Sequence, residues 1–406
     1  MVPGTFEAVV NKEVLVNQIR FARSAVVVSF VVAFATIGGL VHSVAYAADD
    51  GVITFGSPKL KLQSDLRPWD SSSPPLASTE VTVISNNEVA MIKEVSRGTN
   101  DLPTFDVISF NFETKKYTTL VRSGQIKLGG AGSGPVLYDK SKIAFTASYG
   151  PVSPHGNSMT QILWGYDLVT KELSELKRWF TGYVQAMDLS SIGQGKLLYS
   201  TSRAGSEKDS VVFGWATFDP TSKSDKSLYE YNGVEKPEFD RLLLLSDLVQ
   251  LNNGQYILKR KSYFAYDVSK NALFNTVGVP SLTMFDPEKD PVSRVMPKVL
   301  FPVPFSSEYT WAYDSPAQEL FKGQMVVARN YSTDIYKGPV TEKTEIWTVP
   351  LDDQNPKLVA EFTAEPGKKC SMGGRPRLLP DGRFMIILRS GTYENVNYNL
   401  YTLDLR

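Results

Sequence analysis

Leu163-Trp164-Gly165-Tyr166-Asp167 is one copy of a short motif that recurs along this 406-residue chain. In each copy a run of β-favouring residues ends in an aromatic or aliphatic residue. A small turn and another short apolar run follow. The aromatic or aliphatic residue recurs at intervals of 52 to 67 residues, enough for four short strands and their connections. The spacing therefore predicts a β-propeller. The other copies are Val107–Asn111, Trp215–Asp219, Leu282–Asp286, Ile346–Val349 and Leu400–Asp404.

The composition agrees with an all-β protein and argues against nucleic acid as a partner. Phe, Tyr and Trp make up 11% of the residues, and such side chains favour strands. Lys and Arg together number 43, as do Asp and Glu, so no net charge attracts a polyanion. We expect no nucleic-acid binding.

The repeat predicts a single six-bladed propeller, with seven blades as the alternative. The fourth blade is longer than the others, and Tyr263–Asp267 predicts an added hairpin between its second and third strands. Leu173, Leu176, Trp179 and Phe180 have a helix-like spacing, but we interpret this segment as an outer strand and a loop. The predicted blades are 76–122, 133–180, 183–231, 241–303, 309–362 and 370–406.

The last predicted blade shows three strands before the chain ends at Arg406. Propellers remove such an unpaired edge by completing the last blade with a strand from the other end of the chain. The runs Val52–Phe55 and Lys59–Leu62 are placed to supply it, and Asp70–Pro75 has the composition of a linker. We therefore expect an N-terminal strand to close the ring.

The N-terminus has the pattern of an export signal. Basic residues precede an uncharged apolar run from Ser24 to Val41, and Ala45-Tyr46-Ala47 forms a small-x-small cleavage site. We predict a signal peptide over 1–47 that is cleaved after Ala47, a closing strand and linker over 48–78, and the propeller over 79–406. An uncleaved N-terminal anchor is the alternative. The mature protein is expected in the periplasm or outside the cell, with no stable membrane span.

The segment Gly374–Gly391, which contains Pro380-Asp381-Gly382, carries a family resemblance. It resembles the Pro-Asp-Gly repeat of TolB-like, WD40-like propellers, in which a strand, this turn, a second strand and a Ser/Arg/Gly exit recur. Proline sets φ and glycine accepts the positive φ of a tight reversal. The resemblance implies a propeller across the mature chain. Only about thirty residues separate the signal from the first blade, too few for the separate N-terminal domain of TolB.

A second regularity concerns the predicted ends of the second strands. Five blades have an arginine there and one has a tyrosine, and in a propeller these ends share one face, which we call the arginine-bearing face. Arginine offers a fixed fork of donors to carboxylates and phosphates, so the face predicts a protein or an anionic, carboxylated partner in the cell envelope. The alternative is structural, because in Pro-Asp-Gly propellers this arginine often pairs with an acidic residue. The candidates are Arg97, Tyr149, Arg203, Arg260, Arg329 and Arg389.

Catalytic patterns are sparse. After Ala47 the chain has one histidine, His155, too few for a histidine-rich metal site or a triad drawn from scattered histidines. Two carboxylates suffice for a glycosidase, and Asp188, Asp247 and Asp314 fall at comparable places in inner strands. We expect a binding or scaffold module without cofactor or metal. The alternative is a carboxylate-based polysaccharide-active enzyme, a glycosidase or lyase, with its site in the central channel.

Cys370 is the only cysteine, so no intramolecular disulfide is available to an exported chain. Neighbouring lysines would favour a reactive thiolate, but no histidine lies nearby in sequence to activate it. We predict a free structural thiol at the start of a strand.

Overall fold

A computed structural model supplies the fold of the chain. All the residues that it describes lie in one unit, Ala48–Arg406. They are residues 51–65, 81–96, 104–126, 133–149, 160–180, 187–204, 211–232, 246–260, 264–267, 272–275, 282–285, 301, 306, 308–309, 311–333, 340–352, 355–392 and 395–406.

The described residues form β-strands and one short helix, α1 (Ser123–Ile126). No helix in them is long and apolar enough to cross a membrane. In chain order the strands are β1 (Leu60–Asp65), β2 (Thr82–Val83), β3 (Glu88–Ser96), β4 (Thr104–Asn111), β5 (Lys116–Val121), β6 (Val136–Asp139), β7 (Lys142–Tyr149), β8 (Thr160–Asp167), β9 (Leu173–Phe180), β10 (Met187–Ser191), β11 (Leu197–Ala204), β12 (Val211–Asp219), β13 (Ser224–Asn232), β14 (Ser246–Gln250), β15 (Tyr256–Arg260), β16 (Phe264–Asp267), β17 (Ala272–Asn275), β18 (Leu282–Phe285), β19 (Trp311–Pro316), β20 (Gln324–Ser332), β21 (Glu342–Pro350), β22 (Lys357–Thr363), β23 (Arg377–Leu378), β24 (Phe384–Gly391) and β25 (Val396–Leu403).

Five antiparallel sheets have four strands each, and strands adjacent in sequence are adjacent in the sheet except in the last blade, where β1 pairs with β25. They are the first blade (β2 to β5), the second (β6 to β9), the third (β10 to β13), the fifth (β19 to β22) and the last (β23, β24, β25 and β1). The middle strands are covered on both sides, and β20 is buried at every position except its two ends. The outer strand β5 instead exposes three of its six residues. Within the segment 171–180, Leu173–Phe180 forms the outer strand β9 of the second blade, which confirms the predicted outer strand.

The prediction of six four-stranded blades is corrected to five. Where the fourth blade was predicted, β14, β15 and β18 form a three-stranded sheet, which we call the fourth sheet, and β16 pairs with β17 in a separate hairpin. That hairpin leaves the sheet between β15 and β18, so the insertion near Tyr263–Asp267 is confirmed. Within the described residues, no fourth strand pairs with β18.

The chain closes the last blade with its N-terminal strand, as predicted. β1 pairs antiparallel with β25, and Leu60 lies opposite Leu403. Only one of the two predicted runs takes this place, because Ile53 instead forms a parallel bridge to Ala360 in the fifth blade. The N-terminal segment therefore ties two blades together.

Apolar clusters hold neighbouring sheets face to face. Between the fifth and last blades, Ala328, Ile346, Phe384 and Ile386 are fully buried. Similar clusters join the last blade to the first, the first to the second, the second to the third, and the fourth sheet to the fifth blade. The inner strands β10 and β14 contact each other as well. The sheets thus follow one another around a ring, which is a β-propeller. Each large apolar side chain buried in these seams contributes about 1.5–3 kcal/mol.

The Pro380-Asp381-Gly382 turn has the predicted geometry. Gly382 has a φ of +86°, which L side chains rarely adopt. The Gly382 N–H donates to the Leu379 carbonyl, and the Leu379 N–H donates to the Arg383 carbonyl. The turn therefore connects β23 directly to β24.

Candidate functional site

A cavity of about 500 Å³ opens where the inner strands of all six sheets end. Its wall comes from β2, β6, β10, β14 and β23, from the turns next to them and from the segment after β19. Because every sheet contributes, the cavity lies at one mouth of the central channel. A volume of a few hundred cubic ångströms suits a small ligand or a short peptide segment. The wall is largely aliphatic, with Val83, Ile84, Val136, Leu137, Ile192, Leu251, Leu378 and Leu379.

A chain of hydrogen bonds crosses the cavity wall. Arg377 Nη1 donates to Gln318 Oε1 (2.8 Å), and Gln318 Nε2 donates to the Ser191 carbonyl (3.1 Å). Arg377 and Gln318 are each only 7% exposed. The chain connects the last, fifth and third blades, and it fixes the polar part of the wall. Neither side chain was among the predicted site residues.

The turn after β14 is held against the segment that follows β19. The Asn252 N–H donates to the Gln318 carbonyl (3.0 Å), and the Leu320 N–H donates to Asn252 Oδ1 (3.3 Å). These two bonds place Gln250 and Glu319 on adjacent segments of the cavity wall.

Both of these side chains have a buried oxygen atom without a hydrogen-bond partner in the described part of the chain. The two atoms are Gln250 Oε1 and Glu319 Oε2. The other end of the Gln250 amide is occupied, because Nε2 donates to the Gly254 carbonyl (3.0 Å). An unpaired buried acceptor costs about 1–3 kcal/mol and more when it is charged, so a ligand that supplies a donor would be stabilised here.

Two of the predicted arginines, Arg329 and Arg389, lie at the end of their strands opposite the cavity. The second strands begin next to the cavity and run away from it, and Arg329 and Arg389 stand three and two residues before the ends of β20 and β24. The structure gives these two arginines different roles.

Arg329 forms a buried ion pair within the fifth blade. Its Nε donates to Asp314 Oδ1 (2.7 Å) and its Nη2 to Asp314 Oδ2 (2.9 Å). The guanidinium carbon lies 4.1 Å from the ring centroid of Phe301. Burial alone would lower the pKa of Arg329, but the Asp314 carboxylate outweighs it and raises that pKa. Arg329 therefore has the structural role that the sequence analysis gave as the alternative.

Arg389 has no such partner. Its Nε is buried without a hydrogen-bond acceptor in the described residues, and no carboxylate there pairs with its guanidinium. Burial raises the pKa of Tyr313, and the nearby Arg389 charge opposes that increase. Burial lowers the pKa of Lys369, the Glu342 carboxylate raises it, and the Arg389 charge lowers it. An anion that reached this guanidinium would meet an unpaired donor.

The two arginines are not equivalent in packing either. Along β20, Met325 and Val327 face the fourth sheet, and alternation puts Arg329 on that side. Along β24, Met385 and Ile387 face the first blade, and alternation puts Arg389 on that same side. Arg329 thus faces the sheet that precedes its blade in the chain, whereas Arg389 faces the first blade. The two arginines therefore lie on different sides of their respective blades.

Other unpartnered buried atoms lie in the fifth and last blades. Asn330 Nδ2 and Arg375 Nη1 are donors, and Asn397 Oδ1 is an acceptor. Asn330 Oδ1 accepts from the Met372 N–H (2.6 Å), which fixes the orientation of that amide. Asn330 thus joins the fifth blade to the segment before β23, a contact that the sequence pattern did not reveal.

For the remaining predicted site residues, the structure describes the backbone at most. Tyr149 and Arg260 end β7 and β15, and Arg203 stands one residue before the end of β11, but their side chains lie outside the description. Arg97 and His155 lie outside the described residues altogether. Their membership of the arginine-bearing face stays a prediction.

The structure describes the side chain of only one of the three acids proposed for a central-channel enzyme. Asp314 is fully buried in its pair with Arg329. Asp188 and Asp247 are placed in β10 and β14 by their backbone alone. Among the described residues of the cavity wall, Glu319 is the one carboxylate. No group of three or more metal-ligating side chains occurs within the described ranges.

Cys370 is a buried thiol. Its Sγ donates to the Phe362 carbonyl (3.2 Å), and its backbone N–H donates to Glu342 Oε2 (2.8 Å). Burial, with the Glu342 carboxylate second, raises the pKa of Cys370 to about 12. A thiol with this pKa is inert at neutral pH, which fits the predicted structural role.

No family model and no curated protein matches the chain. The similar solved structures include a Penicillium chrysogenum α-L-arabinanase complexed with arabinobiose, with a TM-score of 0.45 at 13% identity over 82% of this chain and 96% of that one. The β-propeller domain of the Trilobed protease from Pyrococcus furiosus has a TM-score of 0.43 at 11% identity, over 83% and 95%. An oligogalacturonate lyase from Vibrio parahaemolyticus has a TM-score of 0.38 at 11% identity, over 79% and 75%. Similarities this weak carry no property of those proteins over to this chain.

Proposed function

We propose that this protein is an exported, TolB-like β-propeller that acts as a binding or scaffold module in the cell envelope. Its partner is a protein or a smaller ligand that presents a carboxylate or another anion to the arginine-bearing face. The proposal combines the N-terminal export pattern, the Pro-Asp-Gly turn and the chemistry at the end of β24.

The observation that carries the proposal is the unpartnered Nε of Arg389. This atom is buried without an acceptor in the described part, whereas Arg329 donates from both Nε and Nη2 to Asp314. Hydrogen bonds between charged groups contribute about 1.5–3 kcal/mol, so one carboxylate at Arg389 would matter to affinity.

The test is affinity capture of the tagged full-length protein from crosslinked cells, with Arg389→Ala beside the wild type. We expect a discrete partner whose recovery falls about tenfold or more in the variant. Arg389→Lys should capture only part of the wild-type amount of partner, because a lysine ammonium lacks the guanidinium fork.

Arg383→Ala is the matched control. Arg383 immediately precedes β24 at its other end and pairs with Asp381 in the turn. The control variant should capture the partner normally. Equal capture by Arg389→Ala and wild type, or capture of no partner, contradicts the arginine-bearing face.

The second candidate function is a carboxylate-based polysaccharide-active enzyme. The observation in its favour is Glu319, whose Oε2 is buried and unpartnered at the cavity. Glycosidases need a second carboxylate about 5–10 Å away, and the described wall supplies none. Release of reducing ends from a panel of neutral and acidic polysaccharides, abolished by Glu319→Gln, would establish this function instead.

Export through cleavage after Ala47 can be tested separately. The protein from fractionated cells should begin at Ala48 and be recovered in the soluble envelope or secreted fraction. An intact N-terminus in the membrane fraction would show that residues 1–47 remain as an anchor.

A further inference from the structure

We infer that the cavity at the inner-strand ends binds an organic amine, with the ammonium group on Glu319 and Gln250 and an apolar body against the aliphatic wall. This site is independent of the arginine-bearing face, because Arg389 lies at the other end of its strand.

Glu319 and Gln250 lack the same kind of hydrogen-bonding partner. Glu319 Oε2 and Gln250 Oε1 are both acceptors, and both are buried without a donor in the part of the chain that the structure describes. A ligand that completes them must donate. An ammonium group donates up to three hydrogen bonds and also neutralises the Glu319 carboxylate.

Hydrogen bonds in the cavity wall hold the Glu319 carboxylate and the Gln250 amide in position. The bonds from Asn252 to Gln318 and from Leu320 to Asn252 hold the second segment on either side of Glu319, and Asn252 lies two residues after Gln250. Gln250 is further fixed by its own bond to the Gly254 carbonyl. The acceptors are therefore presented by two connected backbone segments rather than by a loose surface loop.

The charge and the shape of the cavity wall also favour an amine with an apolar body. Arg377 is the other charged side chain of the described wall, and it already donates to Gln318. The rest of the wall is mostly aliphatic, as in sites where a few polar groups orient an apolar ligand. A hydrocarbon chain with one terminal ammonium group matches this pattern better than an anion or a ligand that is polar throughout.

The test uses three six-carbon probes that differ only in the terminal group: hexylamine, hexanol and hexanoate. Each is titrated calorimetrically into the full-length protein. We expect hexylamine to saturate one site, hexanol to bind more weakly and hexanoate to show no saturable binding. Glu319→Gln should weaken hexylamine about tenfold or more through loss of the charged acceptor.

Glu365→Gln is the control for charge, because it removes one exposed carboxylate outside the cavity. It should leave the affinity for hexylamine unchanged, as should Arg389→Ala, so failure here is separable from failure of the arginine-bearing face. The inference is overturned if hexylamine shows no saturable binding, if hexanol or hexanoate binds more tightly than hexylamine, or if Glu319→Gln and Glu365→Gln behave alike. The probe comparison on wild type holds even if Glu319→Gln does not fold.

Discussion

Asp314 and Arg329 lie opposite each other on β19 and β20 and share two hydrogen bonds, with side chains 0% and 1% exposed. Two unit charges are thus removed from water inside one blade and compensate each other. The pair explains how an arginine can lie among the fully buried side chains of this protein.

Removal of one side chain of this ion pair should strongly destabilise the protein. Asp314→Ala leaves the Arg329 guanidinium buried and unpaired, and we expect a loss of about 3–5 kcal/mol in the free energy of unfolding. Urea unfolding followed by tryptophan fluorescence measures it.

Two variants control this prediction. Asp381→Ala, which breaks a half-exposed pair with Arg383, should cost less than about 1 kcal/mol. The double variant Asp314→Leu/Arg329→Met should recover much of the stability because no charge remains buried. A single variant as stable as wild type would show that the pair does not hold the blade.

The N-terminal strand should be needed for stability and for a monomeric state. A chain that begins at residue 66 lacks β1 and exposes the edge of β25. We expect it to lose about 2 kcal/mol or more, since the buried Ile53 also leaves its cluster, and to associate through the open edge. Urea unfolding and light scattering provide the readouts. A chain that begins at Gly51 retains β1 and should match the longer protein; equal behaviour of the two truncations would contradict the closure.

Stability should fall in alkaline solution because of Tyr199. Burial raises the pKa of Tyr199 from 10.0 to about 12, so folding favours its neutral form. The stabilisation is fully present below pH 10 and is lost as the pH rises from about 10 through 12. Unfolding free energies measured across this range should decline less steeply in Tyr199→Phe. That variant also loses the hydrogen bond to Asp225 Oδ1 (2.7 Å), which lowers its stability at every pH. An unchanged alkaline slope would refute the assignment to Tyr199.

Cys370 should be unreactive in the folded protein. Its pKa of about 12, raised mainly by burial, leaves about a thousandfold less thiolate than the ordinary value of 9.0. A disulfide reagent at pH 8 should therefore label Cys370 only on unfolding, and the rate should rise with urea in parallel with the loss of structure. Rapid stoichiometric labelling of the native chain would show that the thiol is accessible.

Several elements could be predicted because their signals are local. The Pro380-Asp381-Gly382 turn depends on the φ preferences of its own residues, and the hairpin near Tyr263–Asp267 interrupts a regular spacing. The need for a closing strand follows from the three strands of the last blade. The number of complete blades could not be predicted, because the pairing of β14, β15 and β18 depends on long-range contacts.

The site residues were harder to predict for the same reason. Arg329 and Arg389 look alike in sequence, yet their neighbours across the blades differ, and only one has an acidic partner. Glu319 and Gln250 carry no distinctive motif. Their importance comes from Asn252, which joins segments nearly seventy residues apart.

The sequence by itself determined the β-strands, their repeat and the turn chemistry, because apolar alternation and glycine or proline preferences act over a few residues. Only the tertiary structure decided which charged groups are neutralised and which are left unpaired. Burial and hydrogen bonding at Asp314, Arg329, Arg389 and Glu319 depend on strands brought together around the ring. No short stretch of the sequence encodes those contacts.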